Sequence, residues 1–328
     1  MRTFFSRPAL ICALVTALAA CANSGGDLGF AAEKTGTVTV LAFLDRDGSR
    51  TPSPADTVYA GARVALMLQG RPDTLRTATS NVRGLVFFET VPFGDYRVAV
   101  ARGGLGDTVE VANIDTRDIS LTQGDDTAGV AVRLAYPELS VRQARAAAPG
   151  KRVFVRGVIL AGVQTFRDTT SYLADSSGSI RLTEVSLRGG QTGNAPGDSV
   201  TALGTISSLL TQPVLARALV GRFGSRPPPV ALIVSTAAAA SASSGILDAG
   251  LVQVIAALIS DTASVSPDFK VTVNDGSGPL AIVLDANVSF LRALFVPGRR
   301  ANARGVLVPN GTGGWVLKPR DLADISVF

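Results

Sequence analysis

Two stretches a hundred residues apart share one arrangement. YLADSSGSIRL, Tyr172–Leu182, and VTVNDGSGPLAIVL, Val271–Leu284, each set an Asp, Ser and Gly cluster between two apolar runs. The landmarks around them keep that spacing. Val155-Arg156-Gly157 matches Val254-Ile255-Ala256, Pro196-Gly197 matches Pro297-Gly298, and Leu203-Gly204 matches Arg304-Gly305, all at offsets of 99 to 101 residues. A period held over several landmarks marks a duplicated domain, which restricts the C-terminal part to one fold made twice, over 138–227 and 235–328.

Each copy reads as five short strands punctuated by Gly, Pro, Asp and Asn. The first copy predicts Arg152–Leu160, Ser171–Ala174, Ser179–Thr183, Ser199–Ile206 and Val214–Val220. The second predicts Leu251–Ile259, Phe269–Val273, Leu280–Leu284, Ala301–Val308 and Trp315–Leu317. A helix-prone run precedes the first strand of the first copy, Val141–Ala148, and Pro149-Gly150 stops it. STAAAASASSGILDAG repeats that plan before the second copy. Val288–Phe295 is apolar enough for a helix plugging the second barrel, where the first copy has the Gly-rich SLRGGQTGNAPGD.

The repeated Asp-Ser-Gly cluster has three readings: a doubled active site, a doubled metal site, or one turn made twice. The chain contains no histidine, so no Ser-His or Cys-His pair and no imidazole metal ligand is available. Asp175 and Asp275 would sit on separate barrels and so cannot pair as acid and base. Between the second and third strands, Asp can accept from its own following backbone while Gly supplies positive φ. The turn reading prevails, and the chain is expected to be non-catalytic and to use no cofactor.

Before these copies, 36–135 alternates in short runs, Thr37–Phe43, Ala62–Leu68, Thr74–Thr79, Leu85–Val91, Asp95–Ala101, Asp107–Ala112 and Ala128–Ala135. Seven strands over about a hundred residues fit a β-sandwich. The fold class is therefore all-β: a seven-stranded sandwich followed by two five-stranded barrels. Thr79, Asn81, Gly84, Val86, Phe88, Val91, Gly94, Tyr96 and Val98 carry a motif that resembles transthyretin-like sandwiches. Those include carboxypeptidase regulatory-like domains and the B-type repeats of bacterial surface proteins. The resemblance implies two embellishments. Asp45, Asp47 and Asp56 are weak calcium candidates, although LDRDGSRTPSPAD lacks the regular spacing and the closing Glu of a calcium loop, which favours a polar turn. Lys34 and Glu89 are weak isopeptide candidates, with Lys34 placed before the first strand.

The first twenty residues have a basic start at Arg2 and Arg7 and an apolar run from Ala9 to Ala20, too short to span a bilayer. Leu18-Ala19-Ala20-Cys21 closes that run and resembles the lipobox of bacterial lipoproteins. The resemblance implies a signal peptide over 1–20, acylation of Cys21 and, with Ala22 following it, the outer membrane. Segment 21–35 reads as a flexible tether. With Cys12 inside the signal, Cys21 is the sole remaining cysteine, so no disulfide is expected.

Charge is uneven. Residues 135–227 hold eleven Lys and Arg against five Asp and Glu, whereas 228–328 hold seven of each. In the first copy Gly150, Val153, Val155, Gly157, Leu173, Asp175, Gly178, Ile180, Gly197, Asp198 and Gly204 fit a pattern similar to OB-fold modules of secreted bacterial nucleases and surface lipoproteins. OB barrels bind across their second and third strands with aromatics in a basic groove. That implies ligand contacts at Arg156, Arg167, Tyr172, Arg181, Phe269 and Lys270, with Trp315 on the final strand. Three functional readings follow. One is a membrane-anchored surface binding or assembly module with a protein or glycan partner; the others are a nucleic-acid-binding accessory and a carbohydrate binder using the sandwich.

Overall fold

The computed structural model describes residues 34–103, 105, 109–111, 116–123, 127–189 and 191–328. The expected signal peptide, Cys21, all but the end of the tether, and half of the expected strand Asp107–Ala112 lie outside the described residues. Among the described residues no helix is long and apolar enough to cross a membrane.

The chain is all-β. Its N-terminal unit contains β1 (Thr35–Asp45), β2 (Thr57–Val58), β3 (Arg63–Leu68), β4 (Thr74–Thr79), β5 (Leu85–Pro92), β6 (Gly94–Val100), β7 (Glu110–Val111), β8 (Thr116–Leu121) and β9 (Thr127–Ala135). One sheet runs β2-β1-β9-β7 with β5 also on β1, and the other runs β4-β3-β6-β8. The first strand and the last, β1 and β9, pair in parallel from Thr37–Thr127 to Asp45–Ala135. Alternation along β1 sends Val38, Val40 and Ala42 inward against Val64, Leu66, Phe88 and Val98. The turn before β5 depends on Asn81, whose Oδ1 accepts from Arg83 and Leu85 N–H. It depends also on Gly84, at φ +72, where a Cβ would meet the Ala42 carbonyl oxygen at 2.5 Å.

The described residues hold nine strands here, against the seven expected. Two strands were missed outright: β2, only two residues long, and β8, an edge strand that buries only Leu121 fully.

The next unit contains β10 (Glu138–Leu139), α1 (Val141–Ala146), β11 (Arg152–Ala161), β12 (Ser171–Asp175), β13 (Gly178–Leu182), β14 (Ser186–Leu187), β15 (Asp198–Leu209) and β16 (Gln212–Ser225). The last contains β17 (Leu232–Ile233), α2 (Thr236–Ala240), β18 (Leu251–Val265), β19 (Asp268–Asn274), β20 (Pro279–Leu284), β21 (Arg300–Pro309), β22 (Trp315–Lys318) and β23 (Ile325–Val327). Each closes a five-stranded barrel. In the first, β11 pairs β12 and β15, β12 pairs β13, and β13 runs parallel to β16, which returns to β15. In the second, β18, β19, β20, β22 and β21 close in the same order, with β20 and β22 parallel.

Two features depart from expectation. Residues 288–295 form no α-helix; Arg292–Leu294 is a single 3₁₀ turn that delivers Phe295 to the core. The barrels are plugged instead by the short helices before their first strands, α1 burying Val141 and Ala144 and α2 burying Thr236 and Ala239. The first-strand bend also differs. At Gly157 a Cβ would sit 2.4 Å from the Ala174 carbonyl oxygen, so the strands approach too closely for a side chain. In the second barrel Ala256 adopts φ +51 in a bulge between Val254 and Ala257, and its N–H donates to Asn302 Oδ1 at 2.8 Å.

Candidate functional site

Helices of six and five residues have too few internal bonds to persist alone, so something must hold α1 and α2. The repeated Asp-Ser-Gly turns do this. Asp175 Oδ1 accepts from Ser177 N, Ser177 Oγ and Gly178 N, while Oδ2 accepts from Val141 N at 2.8 Å and Ser177 Oγ from Arg142 N at 2.9 Å. Asp275 repeats the helix contacts, with Oδ2 accepting from Thr236 N at 3.0 Å and Ser277 Oγ from Ala237 N at 3.1 Å, while its Oδ1 accepts from Ser277 N, Ser277 Oγ and the Thr236 hydroxyl. A carboxylate at a helix N-terminus meets orphan N–H groups and the positive end of the dipole. The bonds from Ser277 and Thr236 hold the Asp275 carboxyl far below the usual range. Each cluster is therefore a turn, as the sequence predicts, and also a dock for the plug helix, which the sequence did not reveal.

The residues nominated for ligand contact do not converge. Tyr172 is 2% exposed, buried in a cluster with Leu160, Phe166, Leu251 and Val306 where the two barrels meet. Its ring stands edge-on to Phe166, and burial pushes its hydroxyl up to about 12. Arg181 is 5% exposed and donates to the Leu209 carbonyl. Arg167 lies 3.9 Å from Asp268 of the other barrel. The face on which the first barrel was expected to stack a ligand is thus covered by the second. Phe269 leans on Phe295 under the Arg292 guanidinium, and Lys270 is exposed beside Val283.

Asp45, Asp47 and Asp56 do cluster, their ligand oxygens lying within 4.8 Å of one another. Every one of them is occupied. Asp45 accepts from the N–H groups of Asp47, Gly48 and Arg50 and from Arg133 Nε at 2.5 Å. Asp47 accepts from Ser49 N and Ser53 Oγ, and Asp56 from Arg46 N and Ser53 N. Burial and then the Asp47 charge raise Asp56, whereas the Ser49 and Ser53 bonds overcome burial and lower Asp47. The polar-turn reading accounts for the loop.

That loop also docks the sandwich onto the first barrel. Gly48 lies against Thr201 and Phe154, and the Arg188 guanidinium donates to the Asp47 and Arg46 carbonyls. Burial lowers Arg188, offset by Asp47, Asp45 and Asp56. Tyr136, Phe154, Leu203 and Ala135 complete the junction, with Arg152 over the Tyr136 ring at 5.1 Å.

Beside this latch a groove of about 460 Å³ opens, lined by Asp47, Arg50, Arg156, Arg188, Arg222 and Phe223. Of the residues nominated for ligand contact, only Arg156 lies in it, beside the calcium candidate Asp47. Its Nε meets Glu138 at 3.0 Å, its guanidinium lies 5.7 Å from the centre of the Phe223 ring, and Arg222 Nε meets Asp198 at 2.7 Å. Phe223 is 59% exposed. Sequence reasoning passed over Phe223 and Arg222 because they follow the expected end of the fifth strand, which the structure extends to Ser225.

No family model matches the chain, and no curated protein matches it. Among solved structures it is similar to the major plantain pollen allergen Pla l 1, at 13% identity over 31% of this chain and 94% of the allergen, with TM-score 0.27. A shaft pilin, spaA of Lactobacillus rhamnosus GG, matches at 8% identity over 59% of this chain and all of the pilin, with TM-score 0.24. A murine DNA binding protein bound with double-stranded DNA matches at 9% identity over 53% of this chain and 95% of that protein, with TM-score 0.29. At such scores these likenesses bear on no function.

Proposed function

We propose that the chain is a non-catalytic binding module of the cell envelope, anchored through lipidated Cys21 at the outer membrane, with the groove between sandwich and first barrel as its partner-facing surface. The observation that carries this is Phe223, an aromatic ring left open to solvent and flanked by Arg156 and Arg222 on a surface that two modules build together. Aromatic and arginine side chains dominate the energetic centres of protein contact surfaces. The lipobox-like LAAC and the sandwich motif's resemblance to bacterial surface repeats support the location and the protein or glycan class of partner.

Membrane fractionation tests the anchor: the Cys21→Ala chain is expected in the soluble fraction, and its retention with membranes would reject acylation at Cys21. Pelleting of the purified Cys21→Ala chain, which lacks the anchor, with isolated envelopes tests the groove. Phe223→Ala should reduce pelleting at least tenfold, and equal pelleting would remove the groove from the function. A single-stranded DNA shift at low salt that vanishes with Arg156→Ala would transfer the groove to nucleic acid.

A further inference from the structure

A second cleft, of about 330 Å³, lies where the two barrels bring their final hairpins together. Barrel 1 contributes Leu210, Thr211 and Gln212; barrel 2 contributes Pro309, the glycines of 311–314 and Trp315, the chain's single tryptophan. Its size is at the lower end of small-molecule sites. None of its lining residues is charged.

The Trp315 ring is held from both sides of the junction. Its Nε1–H donates to Asp248 Oδ1 at 2.7 Å, and Arg145 from α1 of the first barrel donates to the other oxygen of that 2%-exposed carboxylate at 3.1 Å. Gly245 lies against the benzo edge, where even a Cβ would be 3.8 Å from the ring. Part of the ring packs on the core of barrel 2 and part faces the cleft. The indole is therefore oriented before anything binds, and glycines keep the space before it clear.

The opposite wall carries a second, independent sign. The hairpin joining β15 to β16 turns at Leu210 and Thr211, with φ +52 and +67. A two-residue turn of this kind favours Asn-Gly, and a β-branched residue at positive φ is strained. Such strain persists only where the surrounding structure enforces it, and it clusters at ligand-binding sites. Here the residues that bear it line the cleft, and Leu210 is 46% exposed.

We propose that this inter-barrel cleft binds one end of a neutral oligosaccharide, a pyranose ring lying on Trp315 with its hydroxyls facing Thr211 and the Gln212 amide. A fixed aromatic face, hydroxyl and amide edges, and no cation fit an uncharged polyhydroxylated ring. They do not fit a phosphate backbone, which needs cations.

The lone tryptophan makes the site self-reporting. Purified full-length chain is titrated with maltotetraose and chitotetraose, with single-stranded DNA and polygalacturonate as anionic probes, following tryptophan emission. Saturable change with a neutral sugar is expected, with no change for either anion. The double variant Leu210→Asn, Thr211→Gly relaxes the turn, replaces the leucine and deletes the threonine hydroxyl that faces the sugar; it should melt no lower than the parent and bind at least tenfold more weakly. No saturable response to either sugar, a response confined to the anions, or unchanged affinity in the double variant would each overturn the proposal.

Discussion

The two barrels close in the same order and dock their plug helices on the same Asp-Ser-Gly turn, yet their outer faces are opposites. In barrel 1, the outward positions of β12 carry Tyr172 and Ala174, sealed beneath barrel 2. The corresponding positions of β19 carry Thr272 and Asn274, part-exposed, with Lys270 beside them. A duplicated fold keeps its inner alternation because closure demands it, while the outer alternation records which neighbour a copy has. Barrel 2 is also locked by a device of its own. Asp324, buried, receives Arg304 Nε at 2.5 Å and both Nε and Nη2 of Arg320, whose Nη1 reaches the Leu160 carbonyl of barrel 1. At the hundred-residue offset barrel 1 has Gly224.

The strongest test of that contrast is Asp324→Ala, which strands two arginines at the junction and should cost about 3–5 kcal/mol. Chemical denaturation should show barrel 2 unfolding ahead of barrel 1, and a single unchanged transition would remove the lock from the account. Tyr172→Ala should cost ~3 kcal/mol or more and expose the barrel junction to limited proteolysis, whereas Thr272→Ala should stay within about 0.5 kcal/mol. Equal effects would erase the difference between covered and open face. Gly157→Ala should destabilise by about 1–3 kcal/mol through collision with the Ala174 carbonyl.

Smaller effects belong to the turns. Asp275→Ala should lower stability by ~1 kcal/mol, as loss of a helix-capping side chain does. Because folding depresses this carboxyl, its contribution is complete above the unfolded value of about 4 and fades as pH falls through the folded one. The parent should therefore approach the variant in strongly acidic solution, measured by paired melts. Smallest of all, Ala256→Gly should be neutral or stabilising by under about 1 kcal/mol, since it relieves a positive φ that Gly157 never has to adopt.

The inner architecture was legible in the sequence because it rests on local signals: period-two alternation, Gly and Asp at turns, and the hundred-residue repeat. All ten expected barrel strands are present. What escaped depends on non-local partners. Val288–Phe295 has the apolarity of a helix, but α2 already fills the barrel end, and the segment buries Phe295 and, in part, Phe290. Tyr172 alternates outward from its own barrel, as a ligand platform would, and nothing in β12 reveals that outward means into a neighbour. Of the groove residues, Arg156 was legible from its basic strand; Phe223 was not, because it lies beyond the apolar run.

The parallel pairing of β1 with β9 has a mechanical consequence. The chain enters the sandwich at Thr35, the membrane-proximal end of β1 in a tethered protein, and leaves for the first barrel at Ala135, the far end of β9. Tension between the proposed Cys21 anchor and the barrels would draw these adjacent strands past one another lengthwise. Their rungs would then share the load together, as in a lap joint, and would not part singly as a zipper does. A partner tugging on the distal barrels would meet the sandwich in its most force-resistant direction.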